Sequence, residues 1–136
     1  MTEHAKGPFE VTLAPQPLAL EQPAEGAALA RMSLDKIYRG DLDATGKGEM
    51  LSAMSGVKGS AGYVAVEKVS GTLGGRKGTF VLQHDATMTR GEPYLHIVVV
   101  PDSGTGELEG LSGRMNIVIA PGGAHSYELE YSIASQ

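Results

Sequence analysis

The stretch from Gly62 to Met88, GYVAVEKVSGTLGGRKGTFVLQHDATM, decides the fold class. Before its central glycines, Tyr63, Ala65, Glu67, Val69 and Gly71 fall on one side of an extended chain. After them, Phe80, Leu82, His84, Ala86 and Met88 fall on the matching side of the next strand, with Lys68 and Gln83 marking the opposite faces. A side-chain period of two is the signature of a half-buried strand. Gly75-Arg76 offers a two-residue turn with glycine first, as a type II′ turn requires. Folding the chain there pairs Val69 with Leu82 and Glu67 with His84, so that an acid and an imidazole face each other on one inner wall.

Working outward, glycine and proline punctuate the chain every few residues, and 19 glycines in 136 residues leave few windows for an ordinary helix. Between the breaks lie runs rich in Val, Ile, Thr, Tyr and Phe: Phe9 to Leu13, Leu29 to Tyr38, Gly48 to Met54, Gly62 to Val69, Gly78 to Met88, Tyr94 to Val100, Arg114 to Ala120 and Ser126 to Ile133. Eight short strands at this spacing predict one all-β domain spanning residues 1–136, a small antiparallel barrel or sandwich, with residues 1–8 as a loose end and Leu18 to Arg31 as a long loop. The last hairpin, folded about Pro121-Gly122-Gly123, sets His125, Tyr127 and Leu129 against Ile119, Ile117 and Met115 and puts Arg114 opposite Glu130 outside, an opposite-charge pair that supports the register. Folding the second and third strands around Asp43 sets Met32, Leu34 and Tyr38 against Met54, Ser52 and Gly48, with Lys36 awkwardly on the same inner face.

Composition narrows the function classes. The chain has no Cys, which removes disulfides and thiolate chemistry and fits a reducing, cytoplasmic setting. Eleven Lys and Arg against sixteen Asp and Glu, a net charge of -5, argue against nucleic acid as a partner. No apolar run approaches the ~18 residues of a membrane span, and the N-terminus lacks the basic and apolar regions of a secretory signal.

Several strings are specific enough to carry a resemblance: Ser60-Ala61-Gly62-Tyr63-Val64-Ala65-Val66-Glu67, Gly74-Gly75-Arg76-Lys77-Gly78-Thr79-Phe80, Pro101-Asp102-Ser103-Gly104-Thr105-Gly106-Glu107-Leu108 and His125-Ser126-Tyr127. From about Phe9 to Ile133 the sequence resembles the bacterial family known as domain of unknown function 3224 (DUF3224). The resemblance implies a small closed barrel of the allene oxide cyclase-like, calycin-like kind, a fold that also serves dirigent proteins and some polyketide cyclases. It implies assembly as a dimer or trimer, and it carries no agreed activity, so function must come from the residues. The barrel's relatives suggest cofactor-free isomerisation or cyclisation of a compact hydrophobic molecule, with a non-catalytic carrier or sensor, or a structural homo-oligomeric barrel, as alternatives.

Glu67 and His84 are the candidate catalytic pair, because a carboxylate beside an imidazole orients one tautomer in an apolar interior. The same pair also serves as a satisfied buried contact that fixes register. Tyr63, Tyr127 and Tyr131 supply phenol hydroxyls, Met50, Met54, Met88 and Met115 a soft apolar lining, and His96 and His125 further polar groups, as candidate substrate-binding residues. Ordinary packing accounts for the tyrosines and methionines as well. The small inward residues Ala65, Gly71, Ala86 and Gly113 suggest a hollow interior. His84, His96 and His125 lack any metal-ligand spacing, and neither metal nor cofactor is expected. Ser103 to Glu107 reads as a structural turn, with an anion-binding nest or a lid over the barrel as the alternatives. The Val98-Val99-Val100 run is the candidate subunit contact.

Overall fold

The computed structural model describes residues 2–134, and all eight predicted strands are present. They are β1 (Glu3–Gln16), β2 (Ala28–Tyr38), β3 (Leu42–Met54), β4 (Ala61–Leu73), β5 (Arg76–Thr89), β6 (Glu92–Val99), β7 (Leu111–Ile119) and β8 (His125–Ile133). Each pairs antiparallel with its chain neighbour, and β1 also pairs with β8, closing an up-and-down barrel. Closure leaves the sheet without a free outermost strand. Among the described residues no helix is long and apolar enough to cross a membrane.

Closure depends on residues expected to be loose. Glu3 to Pro8 form the first half of β1 and pair with β8 from Tyr131 to Ser126. Their polar character reflects an outward-facing edge, with Ala5 as the buried anchor.

The predicted last hairpin is observed, with Ile119 opposite His125 and Arg114 opposite Glu130. The other two registers slip by even numbers. Val69 pairs with Phe80 and Glu67 with Leu82, because the β4–β5 turn is Gly74-Gly75 and not Gly75-Arg76. Both glycines have positive φ, +56° and +85°, the type I′ geometry that a side chain at either position would strain. Between β2 and β3 the chain reverses at Gly40, φ +93°, rather than at Asp43, so Tyr38 faces Ala44 and Met32 faces Met50. Even slips leave every side chain on its predicted face.

The SGTGE string has a structural task. β6 pairs with β5 only from Glu92 to Val99, which leaves the start of β5 without a strand on that side. Ser103, Thr105 and Glu107 fill that gap with side chains: the backbone N–H groups of Val81, Thr79 and Lys77 donate to Ser103 Oγ (3.0 Å), Thr105 Oγ1 (3.1 Å) and Glu107 Oε1 (3.1 Å). Alternate residues reach alternate donors, and a Cβ on the intervening Gly104 would lie 1.8 Å from Leu108 O. These contacts fit the structural-turn reading of the string.

The interior is packed at one end. Leu42, Val69, Leu73, Phe80, Leu82, Leu108, Tyr127 and Leu129 are essentially buried there. Gly71 and Gly113 leave no hole, since a Cβ on either would meet backbone oxygen at 2.3 and 2.5 Å. In the Val98-Val99-Val100 run, Val99 points inward and is buried, and Val98 and Val100 are half-buried. The exposed apolar residues of the outer wall include Leu51, Val64 and Val66, and also Ile37, Tyr94 and Val118.

A chain lacking residues 1–8 is expected to lose its cooperative thermal transition, because β8 then has no partner on one side. An unchanged melting temperature by circular dichroism would show that barrel closure does not depend on this segment.

Candidate functional site

Halfway up the barrel the apolar core gives way to a charged layer. Lys36, Glu67 and His84 all point inward and are buried, at 6%, 0% and 3% exposure. Glu67 Oε1 accepts from Lys36 Nζ (2.9 Å) and His84 Nε2 (2.8 Å), and Oε2 accepts from the Tyr38 hydroxyl (2.9 Å). A buried carboxylate survives only with such compensation. Burial pushes its pKa up, but the His84 hydrogen bond and the Lys36 ammonium together outweigh that and hold it below the usual carboxylate range. Burial and the adjacent Glu67 charge push the Tyr38 hydroxyl far up, so it remains a donor.

Lys36 and Tyr38 are the residues that sequence reasoning left out of the site. β3 lies between β2 and β4, and its inward positions opposite Lys36 and Glu67 are Gly46 and Gly48. A Cβ on Gly46 would stand 2.2 Å from Glu67 Oε2, so this glycine vacates the space the carboxylate occupies. Two inward glycines on one strand beside a lone inward lysine were the available signal. Lys36 Nζ also lies 5.1 Å from the centre of the Phe9 ring, a cation–π contact.

Beyond this layer the inward faces stay apolar while exposure rises. Along β5, Leu82 and His84 are buried, Ala86 is half-buried and Met88 is 44% exposed. Inward-facing Leu13, Leu95 and Ile119 follow the same course, at 46%, 38% and 63%. Among the described residues β6 meets β7 only at Ile97–Met115 and Val98–Arg114, so the upper parts of these strands diverge. The barrel is therefore packed below the charged layer and open above it.

Of the predicted binding residues, Tyr63 and Met50 are half-buried on the inner wall above Glu67, and Met54 and Met88 stand at the rim. His125 is half-buried, its ring centre 5.3 Å from that of Phe9. Four assignments change or narrow. His96 faces outward, 3.2 Å from Asp85, because Ile97 is the inward ladder partner of His84; the three histidines do not converge. Met115 lies in the packed half. Tyr131 is buried at the closed end, where a Cβ on Gly74 would lie 2.8 Å from its hydroxyl. Tyr127 is a latch: its hydroxyl accepts from Leu42 N–H (2.8 Å) and donates to Arg39 O (2.6 Å), tying the β2–β3 turn to β8.

A hollow of about 830 Å³ lies elsewhere, on the outer wall. Leu18 and Leu20 of the β1–β2 loop overhang Leu51, Val64 and Val66 there. Gly48, Ala65 and His84 also border it, although their strand positions face inward and the His84 ring is bonded to Glu67 on the inner wall.

The family model described as a protein of unknown function (DUF3224) matches residues 5–131. A solved structure, a protein of unknown function from the DUF3224 family of Shewanella oneidensis MR-1, is 48% identical and superposes with a TM-score of 0.94, covering 100% of both chains. No curated protein matches this chain.

Three outcomes follow from the charged layer. Gly46→Ala should cost about 1–3 kcal/mol by overpacking against the carboxylate, measured by urea denaturation; an unchanged midpoint would remove the steric argument. Glu67→Gln should cost about 3–5 kcal/mol because it leaves Lys36 uncompensated, and adding Lys36→Met should recover part of that loss. Because the folded pKa of Glu67 lies below its unfolded value, its stabilisation is present above the ordinary carboxylate range and is lost as pH falls through the folded value. Acidification should therefore destabilise the wild type more steeply than Glu67→Gln, and parallel curves would contradict the assignment.

Proposed function

The chain belongs to the DUF3224 family, which brings no activity with it, and from the geometry of the open end we propose that the protein binds a compact apolar molecule inside the barrel, its polar group reaching Lys36 and His84. The observation that carries this reading is the coincidence of an apolar, partly exposed inner wall with a charged floor. Apolar surface in water costs about 25 cal/mol per Å², and a ligand seated against Leu13, Met32, Met50, Tyr63 and Ile117 recovers part of it. Small residues lead inward: Ala65 and Ala86 sit one inward position above Glu67 and His84, so the deepest point of the opening is a notch over the imidazole.

A second reading is cofactor-free isomerisation. In its neutral form an imidazole bonded through Nε2 to a carboxylate carries its hydrogen on Nε2 and leaves Nδ1 bare. A bare nitrogen beside an ammonium has the parts to move a proton on a bound carbonyl compound.

The six methionines make the binding reading testable. With methyl-labelled Met and 1-octanol as probe, the Met32, Met50 and Met88 signals should shift on titration, while Met115, in the packed half, should not. Ala86→Leu should fill the notch and weaken binding about tenfold, equivalent to ~1.4 kcal/mol. Shifts absent throughout, or equal at Met115, would sink the reading.

A further inference from the structure

The charged layer has a composition that selects among ligands, given the interior binding site proposed above. Glu67 and Lys36 cancel, one carboxylate against one ammonium. Lys36 has three N–H donors, and its one hydrogen bond to the described residues goes to Glu67 Oε1. His84 bonds to the described residues through Nε2 alone. No buried side-chain nitrogen or oxygen among them lacks a partner, so Nδ1, which has none, is not fully enclosed. The floor thus offers spare N–H donors and, in the neutral form of His84, a bare nitrogen on groups that share one carboxylate oxygen.

A bare carboxylate entering this layer would leave one uncompensated negative charge in a water-poor interior, which is costly. A carboxylic acid has the matching arrangement. Its carbonyl oxygen accepts from Lys36, and its O–H faces the bare nitrogen. We propose that the open end takes apolar monocarboxylic acids, and that each molecule binds with one proton, which comes to rest on His84 Nδ1. The ligand O–H bond is replaced by an N–H bond, and the resulting imidazolium lies between two carboxylates, Glu67 on Nε2 and the ligand on Nδ1. At neutral pH the acid is ionised in solution, so the proton is taken from solvent and no other reactant is required.

The groups facing His84 support a single-proton coupling. β4 contributes Glu67, and β2 contributes Lys36 and Tyr38 through the same carboxylate. β3 presents Gly46 and Gly48 to this layer, and the ladder partner on β6 is Ile97. Asp85 and His96 pair with each other on the outer wall.

Titration calorimetry with octanoate tests the proposal, run in two buffers of different ionisation enthalpy, with 1-octanol as the uncharged comparison. Octanoate should take up one proton per molecule bound. Its affinity should fall about tenfold per pH unit as pH rises from about 7 to about 9, the slope of one proton taken up for each molecule bound. Octanol binding should be flat over the same range. His84→Gln, checked for folding by its melting curve, should abolish proton uptake and weaken octanoate more than octanol. The wild-type proton count stands without the variant. Octanoate binding without proton uptake, or with a flat pH dependence, would overturn the proposal and leave the interior binding site standing. If neither octanoate nor octanol bound, both would be overturned.

Discussion

A single carboxylate, Glu67, sets the terms for the middle of this barrel. A charge buried at zero exposure must be answered on every lone pair that would otherwise face water. Here the answers come from three side chains on two other strands: Lys36 and Tyr38 from β2 and His84 from β5. Because β2 is not adjacent to β4 in the sheet, the intervening strand has to make way. It does so with Gly46, whose missing Cβ is the space the carboxylate fills. Glycine on the inner face of a strand ordinarily weakens it; at this position it is the condition for the ion pair.

The layer divides the molecule into halves with different work. Below it the interior is solid, and two devices complete the wall. Tyr127 holds the β2–β3 turn against β8. The side chains of Ser103, Thr105 and Glu107 stand in for a missing strand beside β5. Above the layer the strands carry apolar residues inward but no longer meet across the barrel. Rigidity is thereby concentrated under the opening, where a polar floor must keep its geometry to discriminate between ligands.

How much of this was legible follows from parity. Shifting a register by two or four residues moves a pair along the sheet but leaves its faces unchanged, so Glu67 and His84 were found together although neither turn was placed correctly. The prediction of them as direct ladder partners was wrong, and they meet diagonally. Lys36 was recognised as an inward lysine but not as the partner of Glu67. Their contact crosses an intermediate strand, and pairwise hairpin reasoning has no term for that. His96 was chosen by residue type without a register for β6, and one position separates it from the inner wall. Residues 3–8 were misjudged because a stretch that pairs with β8 alone and buries only Ala5 has no apolar pattern to show. The SGTGE string was visible, but its task depends on β6 ending early, which only the assembled sheet reveals.

That β1 closes the barrel bears on how the protein is made. Synthesis proceeds from the N-terminus, so Glu3 to Phe9 leave the ribosome long before their partners on β8. At bacterial or eukaryotic elongation speeds the interval is on the order of ten seconds. Throughout it these residues are an unpaired edge on a partly formed sheet, open to pairing with other chains. The sequence of that edge suits the wait: Lys6 is charged, Gly7 has no side chain to add to an intermolecular contact, and Pro8 withholds a backbone N–H. The opening strand is thus composed to resist strangers until its own partner arrives.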